Sequence, residues 1–341
     1  MATRFLDKVN NLSDIQNLPG SAGIGVHGGI PYIKSDAGLM PLDTSKLLNP
    51  PIFVAGNAIG SDSNDGLSWD KPYLTMQKAF DNVASGGVIF FRGNIREQID
   101  TPAGVFDVSV IGYGNRPRHA DAHTTNGGYS ANTWKTPASE AATTPLVRVL
   151  QQGWRFVNIL FAGPSDDACI VLYRDAGAGD AERDASHAEI IGCRFASGQD
   201  GIHVVEVSNV LIQDCQFHEL TGHAVLGVAG AGIANPLRGR FLDNIVQGCA
   251  NGFYVSCNQW VIQRNVFDDG ETPNTTTVLD TKGPGANGAN NIVTDNVLQV
   301  ATANFNTPDV VGGTGDVWTG NKTPDAAGAG VSGIYEIGSP A

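Results

Sequence analysis

From residue 156 onward one short apolar run appears seven times. It is first seen as Phe156-Val157-Asn158-Ile159-Leu160, then as Ile190-Ile191-Gly192-Cys193-Arg194-Phe195 and Leu211-Ile212-Gln213-Asp214-Cys215-Gln216-Phe217. Phe241-Leu242-Asp243-Asn244-Ile245-Val246, Val261-Ile262-Gln263-Arg264-Asn265-Val266-Phe267 and Ile292-Val293-Thr294-Asp295-Asn296-Val297-Leu298 follow, and Val317-Trp318-Thr319-Gly320-Asn321 is a degenerate last copy. Aligned on positions 158, 193, 215, 244, 265, 296 and 321, the copies lie 35, 22, 29, 21, 31 and 25 residues apart. A unit of that size is one supersecondary element that cannot bury its apolar face alone, so it must stack on its neighbours as a solenoid.

A second echo follows each copy after a Gly-containing turn: Cys169-Ile170-Val171-Leu172, Gly201-Ile202-His203-Val204, His223-Ala224-Val225-Leu226, Gly252-Phe253-Tyr254-Val255 and Thr277-Val278-Leu279. In the tightest units it falls nine residues after the aligned position. Each unit therefore holds at least two short strands with no room for a helix between them, which excludes a βαβ protein. The leucine spacing of leucine-rich repeats is absent. In a stacked coil, equivalent residues lie above one another. Asn at the aligned position then predicts a ladder of side-chain hydrogen bonds, with Cys filling the same volume. The variable spacing places long loops at 173–187 and 268–290.

Upstream, Ser63-Asn64-Asp65-Gly66-Leu67-Ser68-Trp69 is turn-rich, and 74–83 has helical periodicity with Leu74, Met76 or Gln77, Phe80 and Val83 on one stripe. Val88-Ile89-Phe90-Phe91 and Val108-Ser109-Val110-Ile111-Gly112 then read as strands, so the segment predicts a capping helix leading into the first coils. This stretch resembles the opening of pectate-lyase-like right-handed β-helix proteins, and the later echoes resemble their coils. The resemblance implies an all-β, single-stranded, right-handed parallel β-helix over residues 52–322, of about ten coils with a strand spacing of ~4.8 Å. Residues 1–51, Gly-rich around Gly20–Gly29 and Pro-rich towards Pro50-Pro51, read as an extended arm and linker for attachment, and 323–341 as a C-terminal tail or cap.

Composition narrows the function. The net charge is −13, which disfavours binding to bare nucleic acid or an anionic membrane surface. The five cysteines lack C-x-x-C spacing and sit in apolar patterns, so they read as buried thiols in a chain made in a reducing cytoplasm. The first residues show no apolar leader segment, and no run is long enough to span a bilayer.

Paired carboxylates, or a basic catalyst beside calcium, would mark a polysaccharide-cleaving β-helix. Asp200 and His223 fall at nearly the same phase of adjacent coils and faintly resemble the Asp and His of polygalacturonases. The doubled aspartate, the His-Gly step and the Arg-x-Lys of that family are missing, so a turn Asp and a satisfied surface His are expected. Asp62-Ser63-Asn64-Asp65-Gly66 has its Gly one place early for a calcium loop, and Tyr73 stands where a Glu is needed. The acidic loop Asp175, Asp180, Glu182 and Asp184 reads as solvated, and the cluster Arg116, Arg118, His119, Asp121 and His123 as a loop contact surface. Of the tryptophans, Trp69, Trp134, Trp154, Trp260 and Trp318, most sit in runs that suggest burial.

No catalytic, cofactor-binding or metal residue is assigned, and no cofactor is expected. The family includes polysaccharide lyases and hydrolases, phage tailspikes and structural members. The sequence reading favours a structural virion protein of a tailed bacteriophage, either a capsid decoration (cement) protein or a short spike. It would be a non-enzymatic homotrimer, attached by its N-terminal arm to major capsid or tail proteins. The alternative is a tailspike that binds or depolymerises host surface polysaccharide.

Overall fold

The coils between Ser109 and Val311 are each three short strands joined at three corners. A computed structural model describes residues 5–6, 23–27, 30–35, 38–41, 49–56, 59–114, 132–137, 143–174, 183–227, 235–268, 277–283, 288–299, 310–324 and 334–337. The chain divides into two units, Met1–Pro51 and Ile52–Ala341. In the coil at 211–227 the strands are Leu211–Gln213, Gln216–His218 and His223–Gly227. Successive coils pair in parallel and build three sheets. Phe156, Ile190, Ile212, Phe241, Ile262, Val293 and Trp318 form the inward column of the first sheet. The second stacks Trp134, Phe161, Phe195, Phe217, Val246, Phe267 and Leu298. The third, of eight strands, stacks Ile170, Ile202, Val225 and, from Val225, Phe253 and then Leu279. The first two sheets share the long strand Val88–Ile95.

Strands of three residues survive because every backbone group pairs with the coil before and after, and every inward side chain lands on its counterpart. Phe195 lies between Phe161 and Phe217, with ring centroids 5.3 and 4.8 Å away and planes within 11° and 7°. Each such ring contributes about 2–3 kcal/mol by leaving water. Trp134, Trp154 and Trp260 are fully buried and Trp318 nearly so, as their apolar runs imply.

The corners explain a detail that periodicity hides. The aligned run is not one strand but two, broken by a single residue in the left-handed region: Asn158, Gly192, Asp214, Asp243, Arg264, Asp295 and Gly320. Each non-glycine residue there costs roughly 1 kcal/mol of strain. In return, the N–H of this residue meets a carbonyl of the next coil; Asp214 N donates to Leu242 O and Asp243 N to Gln263 O. The residue after it turns inward. Asn158 therefore belongs to the left-handed column and not to the ladder. In that coil the ladder position is held by the apolar Ile159, since Val157 pairs with Ile191.

The ladder itself forms as expected. The Oδ1 atoms of Asn244, Asn265, Asn296 and Asn321, all buried, accept backbone N–H from Cys215, Asn244, Asn265 and Asn296 respectively. Their Nδ2 groups donate to Ile212 O, Phe241 O, Ile262 O and Val293 O. Cys193 and Cys215 place Sγ 3.4 Å from the equivalent carbonyls, of Phe156 and Ile190, which is why a thiol substitutes for the amide here.

The capping helix is shorter than its periodicity predicts, Met76–Phe80, because Thr75 caps it and Glu97 accepts the N–H groups of Met76 and Gln77. Phe80 packs 5.0 Å from Trp154, whereas Leu74 lies outside the stripe and is exposed. The C-terminal tail is not a plain extension: Ile334–Ile337 pairs antiparallel with Asn321–Pro324 at the end of the second sheet. In the N-terminal unit the expected extended arm is four paired strands, Phe5–Leu6, Gly23–His27, Ile30–Ser35 and Gly38–Pro41, the last three antiparallel.

Candidate functional site

The third sheet carries a group of titratable side chains, Asp167, Asp200, His203 and His223. Asp200 is the first residue of the strand Asp200–Val205, on which Ile202 and Val204 face the core and His203 faces outward. On the next coil, His223 opens its own strand, two residues before the Ile202–Val225 pair, directly beside Asp200. Gly222 makes this approach feasible, since a Cβ on it would come within 2.3 Å of Asp200 Oδ1.

The Asp200 carboxylate is 3% exposed and fully engaged. Oδ1 accepts from His223 Nδ1 at 3.0 Å and from the His223 backbone N–H, while Oδ2 accepts from His203 Nε2 at 2.9 Å. Burial alone would raise its pKa, but the hydrogen bonds from His203 and His223 outweigh that and hold it well below the usual carboxylate range. An ionised carboxylate only accepts, so the ring nitrogens facing it, Nδ1 of His223 and Nε2 of His203, carry hydrogen.

Both rings reach solvent, His203 with 17% and His223 with 22% of the side chain exposed. His223 stacks on Tyr254 with centroids 5.6 Å apart. His203 Nδ1 faces Asp167 Oδ1 at 3.9 Å. Outside the main core, Ala168, Val171 and Val205 form a small buried cluster with Tyr173 against it. Arg148, on the same sheet, is paired with Asp100 through two of its nitrogens. An imidazole oriented by a buried carboxylate is an arrangement that general acid–base chemistry uses. No group of three or more potential ligands able to hold a metal ion occurs among the described residues.

Asp200 and His223 are thus brought together, and they have the partners that their sequence context does not reveal. His203 escaped the sequence reading because residues three apart on a strand alternate faces; Asp200 stands at the corner, where that alternation begins. Asp62 and Asp65 are structural: Asp62 accepts the N–H groups of Leu74 and Thr75, and Asp65 that of Leu67. Asp184 accepts from Ser186 N and Gln152 Nε2. Asp175, Asp180, Glu182, Arg116, Arg118, His119, Asp121 and His123 lie outside the described residues. Trp69, the one partly exposed tryptophan, contacts Phe53 and Tyr113 and lies 4.6 Å beneath the Arg92 guanidinium.

Three parallel sheets wound in register, with a stacked polar ladder at one corner, define a parallel β-helix. The model of the right-handed β-helix region matches residues 152–323, and the chain belongs to that family. Among solved structures, it is similar to pectin methylesterase from Aspergillus niger (14% identity, 84% of this chain and 91% of that one, TM-score 0.49). It is also similar to the pectate lyase Pel9A (15% identity, 83% and 72%, TM-score 0.49). A third similar structure is ORF18 of Geobacillus virus E2 (11% identity, 94% and 74%, TM-score 0.35). No curated protein matches the sequence.

Proposed function

We propose that the chain is a structural protein of a tailed-phage particle, a capsid decoration protein or short spike, attached through residues 1–51. The observation that carries this reading is the division after Pro51 into a small sheet of its own and a β-helix body. A solenoid needs no such unit to complete its core, so the unit is available for attachment. Most of the body's buried asparagines are spent on stacking coils, as befits a rigid projecting element. The test is incorporation: a chain lacking residues 1–51 keeps the β-sheet spectrum and thermal melt of the body but is absent from purified particles. Incorporation at the wild-type level would sink the proposal. Copy number then separates its two forms, hundreds per particle for a decoration protein and tens or fewer for a spike.

A second reading, a tailspike that binds or depolymerises host glycan, is favoured by the Asp200–His203–His223 group on an outer sheet face. Retention of the purified protein on immobilised host surface polysaccharide, with reducing ends measured in parallel, tests it.

A further inference from the structure

We propose that the outer face of the first sheet is the surface on which copies of this chain associate, side by side and parallel, in a cyclic oligomer. Neither reading of the function is needed for it.

One outward column of that sheet runs through Phe53, Phe90, Ile111, Val157 and Ile191 on its first five strands. It continues through Gln213, Leu242, Gln263, Thr294 and Thr319 on the next five. All ten are at least partly exposed and none is charged, in a chain of net charge −13. The corner column beside it carries Asp214, Asp243 and Asp295. On the other outward column Arg155 and Glu189 neutralise each other, and Ile292 and Val317 are 47% and 56% exposed. A long uncharged face with apolar residues at both ends is the kind of surface that a partner covers.

Length and charge identify the partner. A loop or a small ligand needs a few coils, whereas this column is uncharged over ten, ~45 Å at ~4.8 Å per coil. A second copy offers the same column at the same spacing. A rotation axis parallel to the solenoid keeps every coil level with its counterpart and lays the two columns together. It also sets opposite rims of the sheet against each other, so the exposed Arg240 of one copy faces the acidic corner residues Asp214 and Asp243 of the other. Charged faces of two such acidic chains repel instead. The face is ~10 Å wide, a footprint of roughly 450 Å², and its corrugated accessible surface is larger. A pair therefore buries on the order of 1,000 Å², where specific interfaces begin.

The test is sedimentation equilibrium of the full-length chain at micromolar concentration, where wild type is expected to be an oligomer. Ile191→Lys, on an outward side chain, is expected to keep the wild-type melt and to raise the dissociation constant at least about tenfold. Should it melt early, Gln213→Glu adds a charge at almost constant volume and is expected to weaken association as well. Ile191→Cys is expected to give a disulfide-linked dimer on mild oxidation, because the axis brings the same residue of two copies together. The five native cysteines are buried, and Leu226→Cys on the third sheet is expected to give no such dimer. A monomeric wild type would overturn the proposal, and if Ile191→Lys then abolished incorporation into particles the face would belong to another particle protein. An oligomer unchanged by both charge variants, or cross-linked through Leu226→Cys and not through Ile191→Cys, would overturn it too.

Discussion

Asn265 Oδ1 accepts two hydrogen bonds from Asn244, one from its backbone N–H at 2.9 Å and one from its side-chain amide at 3.0 Å. One oxygen thus ties two coils together at a corner where the backbone has just passed through a left-handed residue, Asp243 or Arg264. Replacing Asn265 with Leu removes both bonds that Asn244 makes to this oxygen, and the Asn265 amide's bond to Phe241 O, in a dry interior. The expected loss is about 1–3 kcal/mol in a denaturant melt. Asn265→Cys is expected to lose less, because Cys193 and Cys215 already fill this column. Equal melts for wild type and Asn265→Leu would show that the ladder is not stabilising.

The left-handed corners tolerate some side chains and not others. Asn209 has φ of 58°, a conformation that Asn and Gly adopt readily and β-branched residues do not. Asn209→Gly is expected to melt close to wild type, and Asn209→Val about 1–2 kcal/mol lower. If Val were as stable as Gly, the corner would have to relax without cost.

Asp200 predicts an acid response. Its carboxyl is held below the ordinary aspartate value, so it contributes stability that is present above about pH 4 and is lost as pH falls towards its folded-state value. Wild type is therefore expected to lose stability between about pH 4 and pH 2, and Asp200→Asn to lose less over the same range. At pH 7 the variant starts lower, by roughly 1.5–3 kcal/mol, since the hydrogen bonds to an ionised acceptor are gone. Parallel pH dependences in the two proteins would rule out Asp200 as the titrating group.

All five cysteines are buried and none is in a disulfide. Burial pushes the Cys249 thiol up to about 12 and the Cys169 and Cys257 thiols well above their ordinary value. The thiolate is the reactive form, so the native protein at pH 8 is expected to be inert to a disulfide-exchange reagent, whereas the guanidinium-unfolded chain releases five equivalents. Rapid labelling of the native chain would mean that the coils open locally.

The Phe195 ring tests the stack directly. Phe195→Ala removes a fully buried ring flanked on both sides, and the expected cost is about 3–5 kcal/mol by thermal or chemical melt. A cost under about 1 kcal/mol would mean that neighbouring rings collapse into the space.

The sequence by itself determined the solenoid. Apolar runs recurring every 20–35 residues cannot be buried except by stacking, so Phe217 over Phe195 and Asn265 over Asn244 were legible from spacing alone. It also marked Asp200 and His223 as sharing a phase, because a phase is a count along the chain. What it could not carry was the direction of each side chain within a coil. One left-handed residue splits each run into two strands, and it moved Asn158 out of the ladder column and put the apolar Ile159 in its place. Whether a residue takes that conformation depends on the carbonyl waiting in the next coil, which local sequence does not encode. The same holds at the site: the contact between His203 and Asp200, and the burial that sets the Asp200 carboxyl, exist only once neighbouring coils have closed around them.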